Sequence, residues 1–451
     1  MLYRASIRSV IYYGLQAYFI AAKCHTAKVG KVSNQALRLC CGAMWSTRIC
    51  VLEADCNEMP LHIRHKYICL LYRCRLLSQP IPSSSCFNVI KDSWHEIYSV
   101  LTTKFSTFNT LTKPFCSHII VEKRGYVVTA PWATHLPTVD ISLSSFISKN
   151  SPPQVRKTIC LDHIYENYST MTFIFTDGSK SSTCAGWSVC VPSHGIVISQ
   201  PCSSLLSSLT TELMAIVRAL SWILENDLPQ KNYLILSDCM TALQLIKKIQ
   251  FKPISNHLKQ IISLYERAKN LNYTVVLIWV PGHSGVRGNE LADSAARQAA
   301  STIFNSDHTL PGGDVKSVIC NHCKATWNNN YTSNRNGAHY RTFARSVFSV
   351  PFSPTNRLYQ RIMFRLRSGH CRLNSHLYKM KCTNSPLCTA CSTSETVSHF
   401  LLHCPKYSFH RRFLIQSYKD ANVPFTIDNL LCLPQLFNPV VEYVLSCEKY
   451  L

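Results

Sequence analysis

Acid is scarce in this chain. Its 451 residues hold 24 Asp+Glu against 47 Lys+Arg, a formal net charge of +23. Such an excess suits a chain that binds nucleic acid, although charge also keeps a basic protein in solution. Long apolar runs are missing too: none reaches the ~18–20 residues of a membrane span. Charged residues make up only 16% and apolar ones 46%, which excludes wholesale disorder and allows real cores. The length is enough for two or three domains.

Cysteine, by contrast, is plentiful. The 23 cysteines are odd in number and lack small-domain spacing, so a secreted disulfide scaffold is excluded in favour of free thiols in a reducing compartment. The expected location is intracellular, in nucleus or cytoplasm, and not secreted. Arg4 and Arg8 ahead of Ser9–Ala22 imitate a signal peptide, but Gln16, several tyrosines and the ordinary basic helix that follows favour a buried helix there over a cleaved signal.

The few acids are unevenly placed. Residues 171–300 carry 11 Lys+Arg and 8 Asp+Glu, so +20 of the +23 lies outside them. Residues 1–80 are helical in pattern and basic, with Ala36–Met44 and Ile63–Leu77 at helical spacing. From Pro80 on, Pro82, Ser83–Ser85, Pro114, Pro131 and Pro152-Pro153 interrupt any pattern, and 81–168 reads as linker. Residues 169–302 alternate strand and helix signals. From 303 to 451 runs a basic region rich in Asn, His and Cys.

Within the central block, Phe173, Phe175 and Asp177 share one face of a strand, as do Leu234, Leu236 and Asp238. Neighbouring strands would bring both carboxylates to one sheet edge. Between them Leu213, Ile216, Val217, Leu220 and Leu224 have the spacing of a helix packed on a sheet, with Glu212 in its first turn. A third strand, Val275–Val280, runs into Pro281-Gly282-His283. Gly285 and Gly288 give a flexible loop, Asn289 is a natural N-cap, and Asp293 follows one turn later. Each acid alone could be a turn or cap residue. Four converging beside a histidine suit two-metal phosphodiester hydrolysis, because hard cations take oxygen ligands and clamp a scissile phosphate.

The segments Thr176-Asp177-Gly178-Ser179, Thr211-Glu212-Leu213, Ser237-Asp238 and His283-Ser-Gly-Val-Arg-Gly-Asn-Glu-Leu-Ala-Asp293 resemble the type 1 ribonuclease H family. The resemblance covers about 130 residues and implies an α/β fold, a mixed five-stranded sheet with flanking helices. It implies an endoribonuclease that cuts the RNA strand of RNA–DNA hybrids. Asp177, Glu212, Asp238 and Asp293 would bind two Mg²⁺ ions, with Mn²⁺ as a substitute. Glu212 would also read the ribose 2′-OH, and His283 would assist water activation or product release. Gly178, Ser179 and Asn289 would contact nucleic acid. The chain departs from the basic handle of many bacterial members, since only Phe251–Ile254 separates the two helices there. Grip on the hybrid is then expected from the flanks.

In the C-terminal region Cys388, Cys391, His399 and Cys404 make C-x2-C-x7-H-x4-C, a set able to close a tetrahedral structural zinc site. Lys406, His410, Arg411 and Arg412 follow. Cys320-Asn-His-Cys323 has no second pair at good spacing. The cluster resembles the zinc-knuckle region after the ribonuclease H domain of non-LTR, jockey-like retrotransposon polyproteins. Arg365-Leu-Arg-Ser-Gly-His370, Leu373-Asn-Ser-His376, Ser9–Gly14, Gln35–Gly42 and Pro60–Arg64 fit the same context, the N-terminal ones as the helical segment after a reverse-transcriptase palm. No Tyr-x-Asp-Asp polymerase motif is present, so the expectation is a polyprotein's C-terminal portion without polymerase activity. The competing readings are a catalytically inactive nucleic-acid-binding fragment and a membrane or secreted protein.

Overall fold

The computed structural model describes residues 3–13, 15, 22–79, 119–125, 134–148, 151–226, 229–249, 254–302, 308–349 and 356–449. Much of Ser9–Ala22, most of the proline-rich stretch before residue 134 and Phe251–Pro253 lie outside these. Two compact units form: residues 70–319, and residues 1–69 together with 320–451.

The first unit is built on a six-stranded mixed sheet. Its strands are β1 (Thr138–Asp140), β2 (Thr172–Lys180), β3 (Cys184–Val191), β4 (Ile196–Ser203), β5 (Asn232–Ser237) and β6 (Thr274–Trp279), in the order β1-β6-β5-β2-β3-β4. Strands β2, β3 and β4 form an antiparallel meander, whereas β5, β6 and β1 add in parallel. The expected five strands gain a sixth, which comes from the stretch read as linker. Asp140 at the end of β1 ties this strand to the helix that follows it. Its carboxylate accepts from Ser142 N at 2.8 Å, from Tyr168 Oη at 2.9 Å and sits 3.1 Å from His163 Nε2. The last two belong to helix α1 (Pro153–Tyr168).

Parallel neighbours need crossover helices, and these cover the sheet. Helices α2 (Ser208–Glu225), α3 (Met240–Lys247), α4 (Asn256–Asn270) and α5 (Arg287–Ala299) follow β4, β5, α3 and β6. One face of the sheet gives Phe175, Leu234, Leu236, Val276 and Ile278 to a core shared with Ile164 of α1 and Ala292 of α5. The period of two sends the intervening residues to the opposite face, where α2 packs Ile216 and Leu220, both fully buried.

In the second unit, segments from the two ends of the chain share one interior. Arg4 and Arg8 both pair with buried Glu58. Asp55 accepts from Tyr340 Oη at 2.7 Å and lies 3.9 Å from the guanidinium of Arg367, which is fully buried. A paired, hydrogen-bonded cluster is the condition under which such charges tolerate burial. Among the described residues, no helix is long and apolar enough to cross a membrane.

Candidate active site

The parallel pairing of β2 with β5 sets Phe175 beside Leu236 and Thr176 beside Ser237. Asp177, still within β2, and Asp238, just past the end of β5, therefore come side by side at the same end of the pair. Glu212 reaches them from α2. The helix starts at Ser208 with Ser207 as its cap, its side chain accepting from Thr210 N. Glu212 thus sits in the second turn, beyond the first-turn position expected from sequence, and the helix dipole is not its main support. The Gly178 N–H favours the charged forms of both Asp177 and Glu212, and Ser237 does the same for Glu212. A Cβ at Gly178 would stand 2.4 Å from Glu212 N, so only glycine lets the strand pass this close to α2.

Ligand oxygens of Asp177, Glu212 and Asp238 lie within 4.8 Å of one another. Burial, and then the charges of Asp238 and Asp293, push the Asp177 carboxyl up to about 7. Burial and its two neighbours raise Glu212 well above the ordinary range, and burial raises Asp238. Glu212 Oε2 is buried and makes no hydrogen bond. A hard-oxygen donor set with an orphaned oxygen and mutual repulsion is short of positive charge, and a divalent cation fits it.

Asp293 is placed differently. Its ligand oxygen groups with His283 and Glu290, not with the other three carboxylates. Oδ2 accepts from Arg297 Nη2 one turn on, and His283 Nδ1 lies 3.5 Å away. Asp293 is still near enough for its charge to raise both Asp177 and Asp238. His283 is exposed at φ +49°, at the tip of the loop between β6 and α5. Glu290, which sequence reasoning passed over, holds that loop by accepting from Gly285 N at 3.1 Å. The signal was its position three residues before Asp293, on the same helix face.

Asn289 is not an N-cap. The helix begins at Arg287 with Val286 in the capping position, and Asn289 lies buried inside the first turn. Its side chain favours the charged form of Asp238, and its buried Oδ1 has no hydrogen-bond partner. Ser179 follows Gly178 on β2, partly exposed near the same end of the pair.

Elsewhere, Cys388, Cys391, His399 and Cys404 bring four ligand atoms within 4.8 Å of one another. Cys388 Sγ is 3.8 Å from Cys404 Sγ, and Cys391 Sγ is 3.3 Å from His399 Nε2. Burial raises the Cys388 thiol, but the N–H groups of Ala390 and Cys391 and neighbouring thiols outweigh it and lower the pKa. Buried Arg411 donates to Cys404 O at 2.9 Å and to Leu401 O at 2.8 Å, fixing the backbone at Cys404. Among the described residues Cys320 and Cys323 join no such cluster.

A mixed sheet that gathers buried acids from two adjacent strands and a crossover helix has the design of a metal-dependent nuclease. Residues 169–301 match the family model for RNase H, and this segment is an RNase H domain. At family level the match supports ribonuclease H activity on RNA–DNA hybrids, with divalent metals such as Mg²⁺. Comparison with curated proteins gives no match.

Proposed function

We propose that this chain is an endoribonuclease that hydrolyses the RNA strand of RNA–DNA hybrids by two-metal-ion catalysis. The observation that carries the reading is the close packing of three carboxylates around an orphaned Glu212 oxygen. Asp177, Glu212, Asp238 and Asp293 would hold two Mg²⁺ ions, or Mn²⁺ in their place. Bound cations supply Lewis-acid stabilisation of the phosphate and lower the pKa of the attacking water.

The chain's own residues supply the rest. Glu212, with an oxygen to spare, accepts from a ribose 2′-OH and so separates RNA from DNA. His283, exposed beside Asp293, takes up a proton at Nδ1 or Nε2 and helps the product leave. Asn289 favours the charged form of Asp238, while Gly178 and Ser179 bring backbone and hydroxyl toward the sugar-phosphate chain. The Cys388–Cys391–His399–Cys404 set holds a structural Zn²⁺ with no ligand position left for catalysis. The flanking motifs support a retroelement origin.

The test uses the full chain, a labelled hybrid and Mg²⁺. The unmodified protein should cut the RNA strand. Asp177→Asn should lose at least about a hundredfold, because even residues behind metal ligands cost about 10–100-fold. Equal rates would overturn the assignment.

A further inference from the structure

The second unit contains a cavity of about 510 Å³ whose lining includes none of the carboxylates proposed for hydrolysis. This lies within the ~300–1,000 Å³ range of small-ligand sites. Trp45, Ser46, Arg48, His370, His376 and Lys379 line it. We propose that it captures one unpaired nucleotide of single-stranded nucleic acid, with the base stacked on Trp45 and the phosphate held by Arg48 and Lys379.

Three observations carry this. Trp45 is 76% exposed at the cavity wall, which leaves most of its surface open to solvent. Nucleic acid pays for such exposure well, since base–aromatic stacking is sequence-tolerant and works with every base. The charge balance is also positive. Of the lining groups only Glu395 is acidic, and it is occupied by Lys449 Nζ at 2.8 Å and Asn374 N at 2.8 Å. Arg48 and Lys379 remain for an anion.

The third observation is a hydroxyl between two imidazoles. Ser46 Oγ lies 2.9 Å from His370 Nδ1 and 3.1 Å from His376 Nε2. A hydroxyl has one proton, so it donates to at most one ring. When it donates to one and accepts from the other, the two outer ring nitrogens are one donor and one acceptor. When it accepts from both, its own proton points outward. Either arrangement offers donor and acceptor together, as a base edge or ribose hydroxyl requires. Burial, with the charges of His376, Arg48, His339 and Lys379, holds His370 down to about 4, and burial and Lys379 lower His376 as well, so both rings favour the neutral form at pH 7. The inference does not rest on the hydrolytic reading, because capture here needs neither the carboxylates nor a hybrid.

The experiment uses the full chain carrying Asp177→Asn, so that no strand is cut. It is mixed with a 5-iodouridine oligoribonucleotide, its deoxy counterpart or a duplex of the same sequence. After irradiation the crosslinked peptide is mapped by mass spectrometry. The expected crosslink is on Trp45 with the single strands and not with the duplex. Trp45→Ala and the pair Arg48→Ala/Lys379→Ala should each weaken binding about tenfold. Arg412→Ala, an equal loss of charge outside the cavity, should change it less than about twofold. Uridine monophosphate should displace the strand where equimolar inorganic phosphate does not. The tighter of the RNA and DNA arms assigns the natural strand. Trp45 and Lys379 are exposed, so the variants should keep the parent's melting temperature. Crosslinks on other peptides, equal crosslinking of the duplex, or unchanged binding by Trp45→Ala would overturn the proposal.

Discussion

Arg297 lies one helical turn beyond Asp293 and donates from Nη2 to its Oδ2. The guanidinium therefore engages the fourth carboxylate while the other three face one another. A cation entering the site competes with it. Arg297 is more than half exposed, so the pair is weak and yields readily. Arg297→Ala should lower the Mg²⁺ concentration for half-maximal hybrid cleavage about two- to fivefold, the equilibrium equivalent of an exposed ion pair. A Mg²⁺ titration of initial rates checks this. An unchanged midpoint would show that arginine and cation do not compete.

The site should also make metal-free stability depend on pH. Asp177 has a folded pKa of about 7, above the ordinary ~3.9 of an unfolded aspartate. A raised folded pKa means that the folded state binds the extra proton. The stability it contributes is full below about 4 and is lost as pH rises through 7. Without divalent cations the melting temperature should therefore be higher at pH 5 than at pH 8, by a few degrees. Asp177→Asn should flatten this dependence and stabilise the metal-free protein at pH 8. Mg²⁺ should reverse the trend, because protons and cations compete for the same oxygens. Thermal melts at the two pH values, with and without Mg²⁺, separate these cases.

Much of this site was legible in sequence because it depends on strand periodicity. Phe173, Phe175 and Asp177 share a face, as do Leu234, Leu236 and Asp238, so two parallel strands in register had to join the carboxylates. Asn289 and Glu212 were placed less well. Asn289 has the residue type of a cap, but Val286 already begins the turn and the buried side chain favours the charged form of Asp238. For Glu212, Ser207 and Thr210 begin the helix one turn earlier than the apolar pattern shows. The sixth strand was hidden among prolines, since Thr138–Asp140 is too short to show a period. Side-chain bonding to Asp140 ties it to a helix further along the chain. The joining of residues 1–69 with 320–451 rests on buried partners such as Asp55 and Tyr340, which no local pattern announces.

Gly178→Ala should damage the site through packing, with no change of charge. The added methyl would meet Glu212 N at 2.4 Å and Thr211 Oγ1 at 2.6 Å. Backbone atoms cannot step aside as a side-chain end can, so β2 and α2 must separate. The cost expected of an overpacked contact is about 1–3 kcal/mol. Because Gly178 packs against Glu212 and its N–H favours the charged forms of Asp177 and Glu212, activity should fall further than stability. Gly313→Ala, where an added methyl meets nothing within 4 Å, is the matched control. Equal melting temperatures and rates for both variants would remove Gly178 from its positioning role.

The cysteine–histidine cluster makes a separate prediction about metal content. Cys388 and Cys404 sit in the core of the second unit beside Leu414, Tyr418 and Val440. Zinc held there would add to the folding free energy, because these four side chains come together only in the folded chain. Elemental analysis should find one zinc per chain. Cys391→Ser, at the partly exposed ligand, should lose it and lower the melting temperature by more than about 5 °C. Cys320→Ser should retain the zinc, since that pair meets no further ligands among the described residues. Hybrid cleavage at saturating Mg²⁺ should survive Cys391→Ser at a temperature where both proteins are folded. The carboxylates belong to the other unit, and their hard oxygens do not share the thiolates' preference for zinc. Loss of cleavage along with the zinc would instead make the cluster part of the catalytic assembly.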